Sequence, residues 1–316
     1  MSSKITIIGA GSVGATIAYT LSQRSIASEI VLIDINKQKA EGEVMDIEQG
    51  TSFREPISIV AGDYPDAADS DIVIITSGIA RKPGQTRIEL TQTNVNIMKS
   101  ITPEIVKVAP KALYIIVSNP CDIMTYAFAK LSGLPESQIL GSGTALDTAR
   151  LRCRLSRHYG GSEKNIHAYV FGEHGDTSFI PWTGAYISGV SINEYYELAK
   201  SLGKDVKELD KEAMLAYVQK SGGQIIANKG ATFYAVSKAV CKLCGIVLAS
   251  SDSVATVSSM MHGEYGIEDV CLSTLTLVGP NGIQGKVPMR MNQKEIEQLK
   301  KSADALKEVI AQINLD

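Results

Sequence analysis

The chain has 316 residues, of which 44% are hydrophobic and 21% charged, and its net charge is −3. These values are typical of a globular protein of one or two domains, and they exclude the general positive field that attracts nucleic acid. No apolar run reaches the length of a membrane span, and a strand predicted from Lys4 onward leaves no place for a signal peptide. The odd number of cysteines, five, favours reduced thiols and a cytoplasmic location.

A glycine-rich turn follows the first predicted strand. Residues 5–8 are almost all β-branched and apolar, as in a buried parallel strand. Gly9, Gly11 and Gly14 then match the pattern G-x-G-x-x-G. In that pattern the glycines allow a tight turn, close approach of a pyrophosphate, and close packing of the next helix, whose amino terminus favours phosphate. The alternative is a glycine turn with a purely structural role.

A carboxylate at the end of the second predicted strand favours the nucleotide interpretation. Residues 30–33 are apolar and end at Asp34, 25 residues after Gly9. A carboxylate there accepts hydrogen bonds from a ribose 2′-hydroxyl and repels a 2′-phosphate. The sequence therefore predicts NAD as cofactor, in preference to NADP.

Strands and helices alternate through the first half, which predicts a doubly wound parallel Rossmann sheet. Later strands are predicted at residues 57–60, 71–76, 113–117 and 139–140, and helices at residues 15–21, 36–49, 88–108 and 121–131. The helix at 88–108 is expected to be disturbed near Pro103. Ligands bind beyond the carboxyl ends of such strands.

Two segments at those carboxyl ends carry polar groups. Residues 79–87 form a Pro/Gly-containing loop with two arginines and a lysine, which suits an anionic substrate or, alternatively, is simply a solvated basic loop. Asn119 follows the fifth strand, where an amide can bond both cofactor and substrate, and the peptide bond to Pro120 is a candidate for the cis form.

The strongest catalytic candidate is His174. It follows a predicted strand at residues 167–171 and stands between two glycines. Asp147 and Arg150 are three residues apart on a predicted helix and so share one face. They supply an acid and a cation that His174 could use. A lone histidine is more often structural, but this combination favours acid–base catalysis.

The second half predicts a substrate domain of α+β type with antiparallel strands. Helices are predicted at residues 205–228, 231–245 and 292–314, and strands at residues 253–260 and 270–278, with a hairpin turn at 280–282. We predict a domain boundary that separates residues 1–143 from residues 144–316. Cys241 and Cys244 form a CxxC in an apolar helical run, which favours core packing over metal or redox chemistry, and we expect no metal site.

Several motifs together resemble the lactate/malate dehydrogenase superfamily, and its bacterial lactate branch in particular. They are the glycine turn, Asp34, Ser118-Asn119-Pro120, Leu146 to Arg150, and Gly172 to Asp176, with Gly141 to Thr144, Trp182 and Thr232 typical of the lactate branch. The resemblance covers nearly the whole chain. It implies reversible hydride transfer between NADH and a small 2-oxo acid.

The resemblance also implies residue roles. His174 would exchange the proton, Asp147 would orient it, and Arg150 would grip the substrate carboxylate. Arg87 would polarise the carbonyl. Asn119 and Thr232 would line the substrate site. The predicted cofactor-binding residues are Gly9, Gly11, Ser12, Val13, Gly14, Asp34, Thr76, Gly78 and Asn119.

One residue departs from the lactate pattern. Arg81 stands where lactate dehydrogenases usually have Gln and malate dehydrogenases have Arg. A buried guanidinium without a partner is costly, so Arg81 favours oxaloacetate/malate over pyruvate/lactate. Thr232, in contrast, favours lactate as the substrate. If the Arg81 side chain pointed to solvent, the enzyme would act as an ordinary lactate dehydrogenase.

The resemblance further implies a homotetramer built from dimers. Arg152 and His167 match positions that bind fructose 1,6-bisphosphate between subunits in bacterial relatives, although both residue types also occur as ordinary surface charges. Two other functions fit the sequence less well. A non-catalytic dinucleotide sensor has no use for His174 with Asp147, and a sugar-phosphate dehydrogenase does not need Arg87 and Arg150 for a small carboxylate.

Overall fold

The computed structural model describes residues 3–24, 26–53, 57–80, 84 and 86–315. Strands and helices alternate through its first half, as predicted. The strands are β1 Lys4–Ile8, β2 Glu29–Ile33, β3 Ser58–Ala61, β4 Ile72–Ile75, β5 Leu113–Ile116 and β6 Ile139–Gly141. The helices are α1 Ser12–Ser22, α2 Lys37–Thr51, α3 Arg87–Val108, α4 Cys121–Ser132 and α5 Ala145–Tyr159.

The second half mixes helices with antiparallel strands. Its strands are β7 Ile166–His167, β8 Tyr186–Ile187, β9 Val190–Ser191, β10 Ser253–His262, β11 Glu268–Gly279 and β12 Gly282–Lys286. Its helices are α6 Ile192–Ser201, α7 Lys211–Lys229, α8 Tyr234–Val247 and α9 Gln293–Ile310. Among the described residues, no helix is both long and apolar enough to cross a membrane.

One nine-stranded sheet organises the molecule, in the order β12-β11-β10-β6-β5-β4-β1-β2-β3. The six strands from β6 to β3 are parallel and have the doubly wound order 3-2-1-4-5-6. The α/β prediction is therefore confirmed. The antiparallel strands of the second half extend this same sheet, since Ser258 of β10 pairs with Gly141 of β6. Only β7, β8 and β9 form a separate small sheet in the described chain.

Alternate residues of the parallel strands pack on opposite faces of the sheet. In β4, Val73 and Ile75 belong to one apolar cluster, and Ile72 and Ile74 belong to another. Both faces are therefore covered, which explains why these strands are continuous apolar runs. Cys241 and Cys244 lie in the second cluster as buried free thiols, in agreement with the packing prediction.

Three local predictions were wrong. The strand predicted at 167–171 ends at His167, and Phe171 makes only a single bridge, to Phe179, because the chain there turns into the site. Helix α3 runs unbroken through Pro103, since the buried turns on either side hold it against the core. Helix α7 begins at Lys211 and not at residue 205, because the Asp210 side chain accepts the Ala213 N–H and caps it.

The core around β5 and α4 gives a direct test of the fold. Phe128 is fully buried with its ring centroid 4.8 Å from that of Tyr114, whereas Phe53 is 88% exposed. Phe128→Ala should lower the free energy of unfolding by about 3–5 kcal/mol, because it leaves a cavity. Urea denaturation at fixed protein concentration measures this, with Phe53→Ala as the control, for which we expect almost no change. Equal losses for the two variants would contradict the packing described.

Candidate active site

The glycine turn joins β1 to α1 at the carboxyl edge of the sheet. Gly9 has φ +111°, and a Cβ on Gly14 would come within 1.8 Å of the Gly9 carbonyl oxygen. A Cβ on Gly11 would meet no atom within 4 Å. The first and third glycines are thus required by the fold, while the second faces open space that a ligand can approach.

Asp34 is tied directly to this turn. Its two carboxylate oxygens accept the backbone N–H groups of Ala10, at 2.6 Å, and Asn36, at 2.8 Å. These bonds hold the end of β2 beside the glycine turn. A carboxylate fixed there can accept further hydrogen bonds from a ribose, because each oxygen has more than one lone pair.

The ends of β4 and β5 are connected by polar side chains. Thr76 Oγ1 donates to the Gly9 carbonyl at 3.0 Å, and Asn94 accepts the Ile79 N–H at 2.9 Å. Asn94 also donates to the Asn119 carbonyl at 2.8 Å. The peptide bond from Asn119 to Pro120 is cis, as the sequence suggested. These bonds fix the strand ends that border the predicted cofactor site.

Three charged side chains form the centre of the site. Asp147, which is only 4% exposed on α5, accepts Arg150 Nη1 at 2.7 Å and the Nδ1 of His174 at 2.5 Å. Within the described part of the chain, no group hydrogen-bonds to Nε2 of His174. The tautomer is set by Asp147, and Nε2 is left to exchange a proton with a ligand.

The pKa values of this pair are shifted in opposite directions. Burial alone would lower the pKa of His174, but the Asp147 carboxylate raises it above the ordinary value for histidine. Burial would raise the pKa of Asp147, but His174 and Arg150 hold it below the ordinary value for aspartate. The arrangement therefore favours imidazolium beside carboxylate, which is a proton donor with its counter-ion.

A cavity of about 270 Å³ connects the charged centre to the cofactor side. Arg150 and His174 line it, and so do Asn119, Val13 and Thr232. Other lining residues include Gly222, Gly223, Gln219 and Ile226 of α7 and Val236 of α8. The structure thus brings together the predicted substrate residues Arg150, Asn119 and Thr232.

Arg87 lies apart from this cavity. It begins α3 and forms an ion pair with Glu173, whose side chain is 4% exposed while that of Arg87 is 47% exposed. The predicted residue Arg81 falls outside the described residues. Arg152 and His167 also lie away from the cavity, where Arg152 Nε donates to the Ala168 carbonyl at 3.0 Å and His167 is exposed on β7.

Sequence reasoning missed three residues that shape the site. Glu173 holds Arg87, Gln219 donates to the Asp176 and Ser178 carbonyls at 3.0 Å, and Asp122 accepts the His174 backbone N–H at 2.7 Å. Glu173 lies beside His174, which was a usable signal. Gln219 and Asp122 stand in other helices, and nothing in the sequence marks their proximity.

Family models agree with this geometry over nearly the whole chain. Residues 3–141 match the lactate/malate dehydrogenase NAD binding domain, and residues 144–315 match the lactate/malate dehydrogenase alpha/beta C-terminal domain. The chain belongs to the lactate/malate dehydrogenase family. It is an NAD-dependent oxidoreductase that acts on a CH–OH group, and the predictions of family, enzyme class and cofactor are confirmed.

Relatives of this family member are similar over their full lengths. It is 45% identical to the L-lactate dehydrogenase of Acetivibrio thermocellus, covering 99% of this chain and 98% of the relative. It is also 45% identical to L-lactate dehydrogenase 1 of Clostridium acetobutylicum, covering 98% of each. Its structure resembles that of the minor L-lactate dehydrogenase of Enterococcus mundtii, with a TM-score of 0.95, 34% identity, and 100% and 99% of the two chains covered.

The residues present fit NAD. The first turn of α1 carries no acidic residue, and no side chain caps its amino terminus, so its N–H groups are free for the pyrophosphate. Gly11 leaves the space above that turn open. Asp34 stands at the end of β2, where the family fold places the adenosine ribose.

The contacts of Asp34 generate a prediction about cofactor choice. We expect wild-type enzyme to use NADH far better than NADPH, and Asp34→Ser to lower the ratio of the two kcat/KM values at least about tenfold, because a charged acceptor is lost. Asp46→Asn, an exposed position on α2, is the matched control and should leave the ratio unchanged. Equal use of both cofactors by wild type would show that Asp34 has no such role.

Proposed function

We propose that this enzyme is an L-lactate dehydrogenase that interconverts pyruvate and L-lactate. The observation that carries the proposal is the 45% identity, over almost full length, with relatives named L-lactate dehydrogenase. The lining of the cavity is compatible, since Arg150 and Thr232 together suit a small carboxylate. The relatives named L-lactate dehydrogenase favour pyruvate as the substrate, and not the oxaloacetate that Arg81 suggested.

Substrate binding rests on Arg150. Its guanidinium reaches the cavity and is already oriented by Asp147, so its remaining N–H groups can hold a carboxylate in a bidentate pair. Asn119, across the cavity, can donate to the substrate carbonyl. These two contacts place the carbonyl carbon toward the cofactor side of the cavity. NADH, when bound, supplies the hydride that this carbon accepts.

His174 moves the proton. With Nδ1 held by Asp147, protonated Nε2 donates to the carbonyl oxygen during pyruvate reduction and takes the proton back during lactate oxidation. Asp147 stabilises the imidazolium and remains ionised throughout, since its pKa is lowered. Reduction should therefore fail as the pH rises through the raised pKa of His174, and oxidation should fail as the pH falls through it.

Arg87 polarises the carbonyl in this proposal. The oxygen gains negative charge as the reaction proceeds, and a guanidinium beside it stabilises that charge. In the structure Arg87 is instead paired with Glu173. Arg87 must therefore leave the Glu173 carboxylate before it can act on the substrate carbonyl.

The substrate preference is tested by measuring NADH oxidation with pyruvate and with oxaloacetate. We expect wild-type kcat/KM for pyruvate to exceed that for oxaloacetate at least about tenfold. His174→Ala should lose roughly two to four orders of magnitude in kcat with both substrates while still binding NADH. A wild-type preference for oxaloacetate that Arg81→Gln reverses would overturn the proposal and make Arg81 the specificity residue.

We also propose a cytoplasmic homotetramer in which residues 1–143 bind cofactor and residues 144–316 bind substrate. A groove of about 500 Å³ between α5 and α8 supports subunit contact, because small apolar side chains line it. Among these are Ala145, Ala149, Ala235, Ala239 and Leu243. Five free thiols suit a reducing compartment.

The same groove supports an anionic effector site. Arg152 lines it together with Lys164, Lys238 and Lys242, so four cations and one carboxylate, that of Glu163, border the same cavity. A sugar bisphosphate such as fructose 1,6-bisphosphate carries complementary charge, and a site of this kind between subunits would couple occupancy to assembly. His167 directly precedes Ala168, whose carbonyl accepts a hydrogen bond from Arg152, so the main chain at His167 runs close to this cation.

Fructose 1,6-bisphosphate should lower the pyruvate KM of wild type at least about fivefold, a coupling of about 1 kcal/mol. Arg152→Gln should abolish this response, because it removes one of the phosphate-binding cations. Arg157→Gln, at an exposed position on the same helix, is the matched control and should retain the response. No change in KM or in sedimentation at millimolar effector would refute the regulatory role.

A further inference from the structure

A second buried carboxylate lies next to His174. Asp122, in the first turn of α4, is 2% exposed. Its Oδ2 accepts the backbone N–H of His174 at 2.7 Å, and its Oδ1 accepts the hydroxyl of Ser258 at 2.6 Å. Both oxygens are thus occupied, and one of them holds the main chain of the histidine itself.

The loop that carries His174 depends on such side-chain anchors. Gly172 has φ +90°, and the next backbone N–H, that of Glu173, donates to Ser302 Oγ of α9 at 2.7 Å. The following N–H, that of His174, donates to Asp122. Because these two residues carry no regular strand pairing, α4 and α9 fix the position of the loop. Asp147 then orients the ring from the opposite side, through Nδ1.

The position of α4 gives this contact a second consequence. Asp122 is three residues after Asn119, which lines the cavity. One short segment therefore supplies the amide on the cofactor side and the anchor of the histidine. Any displacement of that segment would move both groups together, and small displacements at a reacting centre cost large factors in rate.

The charge of Asp122 also acts on the ring. Its carboxylate raises the pKa of His174, in the same sense as Asp147 and against Arg150. Burial raises the pKa of Asp122 itself to about 6, against the hydrogen bonds from Ser258 and His174. Both oxygens accept hydrogen bonds, which favours the ionised carboxylate.

The other ionisable groups that act on Asp122 are few. Glu173, in the loop, raises its pKa, and the His174 charge lowers it. The thiols of Cys121 and of Cys271 on β11 are buried, with their pKa values raised, so they stay neutral. No cation within ion-pair distance competes for Asp122 in the described part of the chain.

We propose that Asp122 is a positioning residue of the catalytic site, which holds the main chain of His174 in place and stabilises the protonated form of its ring. The proposal rests on the proposed function, in which His174 exchanges the proton. Asp122 contacts neither substrate nor cofactor in this scheme and acts only through His174.

The test is the pH profile of kcat/KM for pyruvate reduction, whose alkaline limb reports His174. Asp122→Asn keeps the shape, and its amide can still accept the His174 N–H and donate to Ser258, so the charge alone is removed. The limb should move to lower pH by about 0.5–1 unit, because the protonated ring loses a stabilising charge. Ser258→Ala removes a hydrogen bond that favours the ionised form of Asp122. The alkaline limb should therefore also move to lower pH, but by a smaller amount than in Asp122→Asn.

Asp304→Asn, at an exposed position on α9, removes a charge elsewhere and is the matched control. Its limb should coincide with that of wild type. Asp122→Ala should in addition lower kcat about 10–100-fold, because the main chain of His174 loses its anchor. A purely structural role would lower thermal stability without moving the limb.

The failure of each proposal has its own signature. If wild type shows the alkaline limb and His174→Ala is inactive, but Asp122→Asn and Ser258→Ala leave the limb in place, the role of Asp122 is overturned. If His174→Ala remains active, or wild type shows no such limb, His174 does not exchange the proton and that part of the proposed function fails.

Discussion

A single buried carboxylate, that of Asp147, holds the reactive centre together. It bonds Arg150 through one oxygen and His174 through the other. A buried carboxylate is stable only when it is paired, and here each of its partners also needs it. Without Asp147, the histidine tautomer and the direction of the guanidinium would both be undetermined. In the proposed function, substrate binding and proton transfer thus depend on the same group.

The surrounding fold places that group where cofactor and substrate can meet. Helix α5 starts just after β6, at the carboxyl edge of the sheet, and Asp147 lies in its first turn. The glycine turn after β1 lies at this same edge. The antiparallel strand β10 extends the sheet next to β6 and brings Ser258 beneath α4. The continuous sheet therefore provides a rigid support for groups that come from distant parts of the chain.

Charge is balanced around the centre by neighbours that do not themselves react. Glu173 gives Arg87 a buried partner, and the charge of Asp122 lies beside His174. Each partner limits the cost of keeping a charged side chain partly out of water. Because Arg87 is paired in this state, its proposed role in polarising the carbonyl requires exchange of its partner, whereas Arg150 and His174 already line the cavity.

The sequence by itself determined the alternating fold, the glycine turn, Asp34, and the shared helix face of Asp147 and Arg150. These features depend on local patterns: apolar runs, glycine spacing, and residues three apart on a helix. The resemblance of the motifs to a family implied the roles of these residues. The relatives named L-lactate dehydrogenase favour pyruvate as the substrate, whereas Arg81 had suggested oxaloacetate.

Only the tertiary structure decided which distant residues meet. The pairing of Ser258 in β10 with Gly141 in β6 joins residues 117 positions apart. The ion pair of Glu173 with Arg87 joins residues 86 apart, and the contact of Asp122 with the His174 backbone joins residues 52 apart. No local pattern encodes such contacts, because each depends on the packing of a whole helix or strand. The unbroken α3 has the same origin, since burial on both sides of Pro103 outweighs the local preference for a kink.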